Sequence, residues 1–204
     1  MSNKFLTLIR LSATLPVPPL VGIDGNALRG LWLNFDEISI AAASVLSDIK
    51  VTASAFLDEH IGRLPSHGHI AWAPQAGQAL CALLRQGGLS ADEPLAVRSS
   101  ADVEDGTQQS FAGIFTSHLG VKGMAYLQQA IVDVWLSAFS RAAVLERLRL
   151  GDAMHEVGMT IIVQRMVAAR WAGVAFSHDP MSGAPQPLIA VSYTHLTLPT
   201  SDLV

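Results

Sequence analysis

Residues 94–121 read PLAVRSSADVEDGTQQSFAGIFTSHLGV, and no other stretch limits the fold as strongly. The apolar run Leu95-Ala96-Val97 ends in Arg98 and two serines. An acidic segment with Asp102, Glu104, Asp105 and Gly106 follows, then Ser110-Phe111-Ala112-Gly113, then a second β-like run from Ile114 to Val121. This order predicts strand, polar loop, strand. Small residues let backbone N–H groups come close to a ligand, and an arginine offers a planar fork of donors matched to phosphate oxygens. On composition alone the same stretch is a surface hairpin with a solvated acidic loop, because Gly and Ser are common in turns.

The remaining composition narrows the function classes. The chain has 204 residues, half of them hydrophobic and only 15% charged, so it can bury a substantial core. A formal net charge of -4 argues against a nucleic-acid binder held by a basic face. Cys81 is the single cysteine, which excludes an internal disulfide and a Cys-based metal cluster. Set among Ala79, Leu80, Ala82 and Leu83, it reads as a packing residue on a helix. No apolar run is long enough to span a bilayer, and Arg10 interrupts the N-terminal apolar stretch without a following cleavage pattern. These features predict a cytoplasmic protein with no membrane partner.

Along the chain, Lys4 to Leu11 predicts a short helix. Pro16, Pro18 and Pro19 force an extended segment that leads to a strand at Val21-Gly22-Ile23. From Glu37 to Ile61 apolar residues recur at helical spacing, which predicts one or two helices broken near Val51-Thr52. The span from Pro65 to Pro74 is a loop; His67 and His69 suit either an exposed polar loop or a metal pair, and no further ligand type clusters with them. A helix from Gln75 to Gln86 is ended by Gly87-Gly88. One continuous helix is predicted over Met124 to Leu150, with Trp135 and Phe139 in its apolar stripe as core residues. Two strands follow, MTIIVQRMV from Met159 and WAGVAFS from Trp171, which on pattern alone make a plain antiparallel hairpin.

Two stretches together resemble one family. VRSSADVEDGTQQSFAG is similar to the pattern V-R-S-S-A-x-x-E-D-x-x-x-x-S-F-A-G in the N-terminal nucleotide-binding region of the pyruvate, phosphate dikinase and phosphoenolpyruvate synthase family. The stretch from Met159 to Gly183 resembles the same family's V-V-Q-x-M-V followed by A-G-V-x-F-[TS]-x-x-P-x-[TS]-G. The LPVPP segment also resembles the family, where a Gly-Gly-Lys helix precedes it; here Ser2 and Asn3 replace the glycines before Lys4. The resemblance implies an α+β fold of ATP-grasp type, incomplete at the C-terminus, with ATP and Mg2+ as cofactors. It implies that full-length relatives phosphorylate a histidine on a separate domain, most often to make phosphoenolpyruvate from pyruvate. Carried over by position, Arg98 is the phosphate contact and the catalytic candidate. Lys4, Ser110, Gly113 and Ser177 fall where the family contacts phosphate or closes over it. Gln164, Arg165, Met166 and Val167 fall on the hinge strand that meets adenine. Lys4 also reads as an ordinary solvated lysine, and Asp179 as either a turn cap or a magnesium ligand; no residue set is assigned to a metal.

Residues 1–190 are therefore expected to form a nucleotide-binding region, with subdomains at about 1–93 and 94–190. From Val191 the resemblance stops. VSYTHLTLPT resembles the translation of one reading frame of a library-preparation adapter, so residues 191–204 are expected to be a non-native translated tail. The phosphohistidine and substrate domains are expected to lie outside this chain, and the chain alone is expected to be inactive. Two alternatives remain at this point: a stand-alone, non-catalytic nucleotide-binding module, and a structural fragment that binds nothing.

Overall fold

Proline, glycine and serine punctuate the chain into its elements. The computed structural model describes residues 3–52, 57–101, 113–150, 159–169, 171–176 and 188–193. They divide into two compact units, Met1–Met166 and Val167–Val204.

In the first unit, helix α1 (Asn3–Ser12) stops before the prolines, and the chain extends into strand β1 (Leu20–Ile23). Helix α2 (Gly25–Leu31) was not foreseen from periodicity. It begins where the Asp24 carboxylate accepts from the Asn26 and Ala27 amides at 3.0 and 3.1 Å, a standard N-cap. Of the one or two helices expected next, the structure has two, α3 (Phe35–Thr52) and α4 (Leu57–Gly62). Helix α5 (Ala76–Gln86) ends at Gly87-Gly88, and Gly88 takes a left-handed φ of 70° that a glycine adopts without strain. Strands β2 (Leu95–Ala101) and β3 (Ser117–Val121) form the foreseen antiparallel pair.

The continuous helix expected over Met124 to Leu150 is broken. Helix α6 (Met124–Leu136) gives way to a tight turn, Ser137–Phe139, before helix α7 (Arg141–Leu150). Serine chemistry breaks it: Ser137 Oγ donates back to Val134 O at 2.6 Å, and Ser140 Oγ accepts from the Ala143 amide at 3.2 Å as the cap of α7. The break shifts the buried face. Ala143, Val144 and Arg147 are buried, whereas Ala142 and Leu145, which one continuous helix would place on the Trp135 side, are exposed. Trp135 and Phe139 are core residues as expected, with ring centroids 4.8 Å apart and Trp32 at 5.3 Å from Trp135. Trp72, inside the span from Pro65 to Pro74 expected as a loop, packs edge-on against Trp32 at 5.8 Å.

Strand β4 (Met159–Arg165) lies in the middle of a sheet. Among the described residues, four strands form one antiparallel sheet in the order β1-β4-β2-β3. That position explains the unbroken buried run Met159–Val163, since a central strand is covered on both faces. Register assigns the two faces. Val21, Val163 and Val97 form one row, and Ile23, Ile161 and Ser99 the next. Val21, Ile23, Ile161, Val163, Leu95 and Val97 on this face join α2, α3, α5 and α6 in one buried cluster. The opposite face carries the row Gly22–Ile162–Arg98–Ser117. In the second unit, β5 (Trp171–Phe176) pairs antiparallel with β6 (Leu188–Tyr193), from Trp171↔Tyr193 to Phe176↔Leu188. The β4–β5 hairpin suggested by pattern alone is therefore not the pairing found.

Candidate nucleotide site

Arg98 is the exposed member of a strand whose other six residues are all buried. Directly paired residues in an antiparallel sheet project to the same face. Arg98 is opposite Ile162, and Ile162 is opposite Gly22, so Arg98 projects to the face on which Gly22 lacks a side chain. That vacancy is filled by helix α1. A Cβ on Gly22 would lie 2.8 Å from ring atoms of Phe5, so the absent side chain is what lets the buried Phe5 ring settle on the sheet.

Helix α1 thereby brings Lys4 to the same strand. Lys4 Nζ donates to the Ser99 carbonyl at 3.2 Å, one residue from Arg98. The helix-covered face thus gathers two cations with the hydroxyl residues Ser100, Thr160 and Ser117 and the amide of Gln164. Chemically, the exposed Arg98 guanidinium on this face suits an anionic ligand. Gly113 opens the described segment that returns to β3; it is exposed and has a φ of 78°, which a side chain would strain. Ser110 and Ser177 lie outside the described residues, as does the acidic part of the loop.

The four hinge-strand candidates have different surroundings. Gln164 Nε2 donates to Pro18 O at 3.4 Å. The Arg165 amide donates to Pro19 O and the Met166 amide to Pro94 O, both at 3.0 Å. A donor to an adenine edge from this segment would come from Val167, which is exposed, rather than from those two amides. The Arg165 side chain is also engaged: Nε is 2.6 Å from Glu93 Oε2. The Arg165 guanidinium and the Ser90 amide hold the Glu93 carboxyl below the usual range, and Glu93 in turn holds Arg165 above its own. Glu93 had no signal in the sequence beyond an acidic residue ahead of a strand. Elsewhere, His67 and His118 both meet Asp133, at 2.9 and 3.1 Å. Among the described residues no group of three His, Cys, Asp or Glu could hold a metal ion, and no helix is long and apolar enough to cross a membrane.

Residues 74–195 match the family described as the pyruvate phosphate dikinase AMP/ATP-binding domain, and this span includes both motif stretches. The chain belongs to this family. Its ATP-grasp-type α+β fold accords with the antiparallel sheet and flanking helices described above. Among curated relatives, a rifampicin phosphotransferase of Streptomyces is 41% identical over 102 residues, covering 50% of this chain and 11% of that protein. A phosphoenolpyruvate synthase of Aeropyrum pernix is 35% identical over 102 residues, covering 50% and 12%. A probable phosphoenolpyruvate synthase of Methanocaldococcus jannaschii is 29% identical over 179 residues, covering 84% of this chain and 15% of that protein. The chain therefore spans only a small part of the length of the curated dikinase-family relatives it matches.

Proposed function

We propose that this chain is the ATP-binding portion of a dikinase-type phosphotransferase whose full-length form phosphorylates a histidine on a separate domain. The observation that carries the reading is the exposed Arg98, with Lys4 bonded to the carbonyl of the neighbouring Ser99, within a chain of the AMP/ATP-binding family. In this reading Arg98 grips the phosphates with its fork of donors and Lys4 adds a second charge beside it. Ser110, Gly113 and Ser177 close over the phosphates, and Gln164, Arg165, Met166 and Val167 form the adenine side. Phosphoryl transfer asks mainly for in-line positioning and neutralised oxygens, which these groups supply. Mg2+ would add charge neutralisation when bound; no described residue set is assigned to it, and no step is routed through it.

We take residues 1–190 as the nucleotide-binding region and 191–204 as a translated tail. Pyruvate is the favoured final acceptor; the rifampicin phosphotransferases among the relatives define the competing choice. Isothermal titration with Mg-ATP tests the binding reading. Arg98→Ala should weaken binding by roughly 10- to 100-fold, the range for losing a charge-assisted contact of about 1.5–3 kcal/mol. Arg98→Lys should recover only part of this, because a point charge replaces a bidentate fork. Both variants should melt like the parent, since Arg98 is exposed. Parent-like affinity in Arg98→Ala would remove Arg98 from the site. No binding by the parent would leave a purely structural fragment. The chain alone should transfer no label from ATP to its own histidines, and strong labelling would contradict its reading as one portion of a larger enzyme.

A further inference from the structure

Arg165 is the last residue of β4, and the chain passes into the second unit immediately after Met166. Two stretches of the first unit, one at Pro19 and one from Gly88 to Pro94, converge on this point. Pro19 and Pro94 present carbonyls to the Arg165 and Met166 amides from the two flanking strands' leading ends, each at 3.0 Å. Glu93 takes the guanidinium with both carboxylate oxygens, at 2.6 Å from Nε and 3.2 Å from Nη2. The Gly88 carbonyl accepts from the same Nη2 at 2.5 Å. Glu93 is itself oriented by the Ser90 amide, which donates to Oε1 at 2.8 Å. The glycine turn that supplies the Gly88 carbonyl is wedged in place, because a Cβ on Gly87 would lie 2.2 Å from Val21 Cγ1 and 3.1 Å from Leu20 O. Beyond this knot Val167 is 60% exposed.

The arrangement does not suit a direct phosphate ligand. Two of the guanidinium nitrogens are already spent, and a carboxylate beside them repels an anion. We propose that Glu93 and Arg165 are positioning residues: the pair fixes the point at which β4 leaves the first unit's sheet, and so places the hinge segment from Gln164 to Val167 for the nucleotide. The inference rests on the nucleotide-binding reading above and corrects within it the role of the Arg165 side chain from contact to support. With relative side-chain exposures of 40% for Arg165 and 25% for Glu93, such a pair contributes little to global stability, so variants should fold.

The test uses the whole chain with Glu93→Gln, Arg165→Met and the double variant, read by amide hydrogen exchange and by Mg-ATP titration. In Glu93→Gln the Met166 amide should exchange at least about tenfold faster while the Ile161 and Val163 amides keep their protection, a local opening and not global unfolding. Both single variants should weaken Mg-ATP binding by about tenfold with little change in Tm, and the double variant should add nothing, because both act through one contact. Unchanged Met166 exchange in Glu93→Gln would overturn the latch. Weaker binding in Arg165→Met alone would make Arg165 a direct ligand, and unaltered binding in both would confine the pair to a structural role; either outcome overturns the proposal. If the parent does not bind Mg-ATP, the functional reading falls first, and with it the nucleotide-placing role; the exchange measurement still decides the latch by itself.

Discussion

The Glu93 carboxyl gives up its proton more readily than a free glutamate because Arg165 donates to it, and the Ser90 amide donates as well. Its folded pKa is therefore below the unfolded one. The stabilisation it brings is present above the unfolded value, about 4.3, and is lost as pH falls through the folded value. The small stability difference between the parent and Glu93→Gln should hold steady above the unfolded value and close as pH falls through the folded one, as read by urea denaturation at each pH. A gap that persists at low pH would mean that Glu93 acts through packing and not through its charge. Arg98 and Glu93 differ in how visible they are from sequence. Arg98 stands out as a cation at the end of an apolar run inside a long motif, so its chemistry is local. Glu93 meets a partner 72 residues away, and nothing near it in the chain announces that pairing.

Elements show the same division between local and distant causes. Helices α1, α3, α4 and α5 and the β2–β3 pair follow from periodicity, prolines and glycines, which act within a few residues. The break between α6 and α7 escaped because serines inside a helical stripe are ambiguous: they tolerate the helix or bond back to it. Here they end one helix and cap the next, and the buried side of α7 turns to Ala143, Val144 and Arg147. Ser140→Ala should cost about 0.5–2 kcal/mol, the usual loss for an N-cap, measured by denaturant unfolding. A neutral outcome would show that the α6–α7 corner is held by packing around Trp135 and Phe139 alone. Strand order was beyond local pattern too. MTIIV marks a buried strand, but only the register with β1 and β2 identifies it as the centre of a sheet.

At the scale of the whole molecule, the boundary after Met166 decides which part of the chain each property depends on. Among the described residues, the large buried cluster runs from Val21 to Val163, within the first unit. Lys4, Arg98 and the Glu93–Arg165 pair belong there as well. The proposed tail contributes differently. Val191, Ser192 and Tyr193 supply half of the β6 partners of β5, facing Gly173, Ala172 and Trp171. An isolated two-stranded pair is at best marginally stable, so pairing of a β-prone stretch does not by itself make that stretch native. If residues 191–204 are a translated tail, a chain ending at Ala190 should keep the first unit's melting transition and an Mg-ATP affinity within about twofold of the parent, well under 1 kcal/mol. Only protection at Trp171, Ala172 and Gly173 should fall in hydrogen exchange. A tenfold or greater loss of affinity, about 1.4 kcal/mol, would make the β5–β6 pair part of the nucleotide site and return the tail to the native protein.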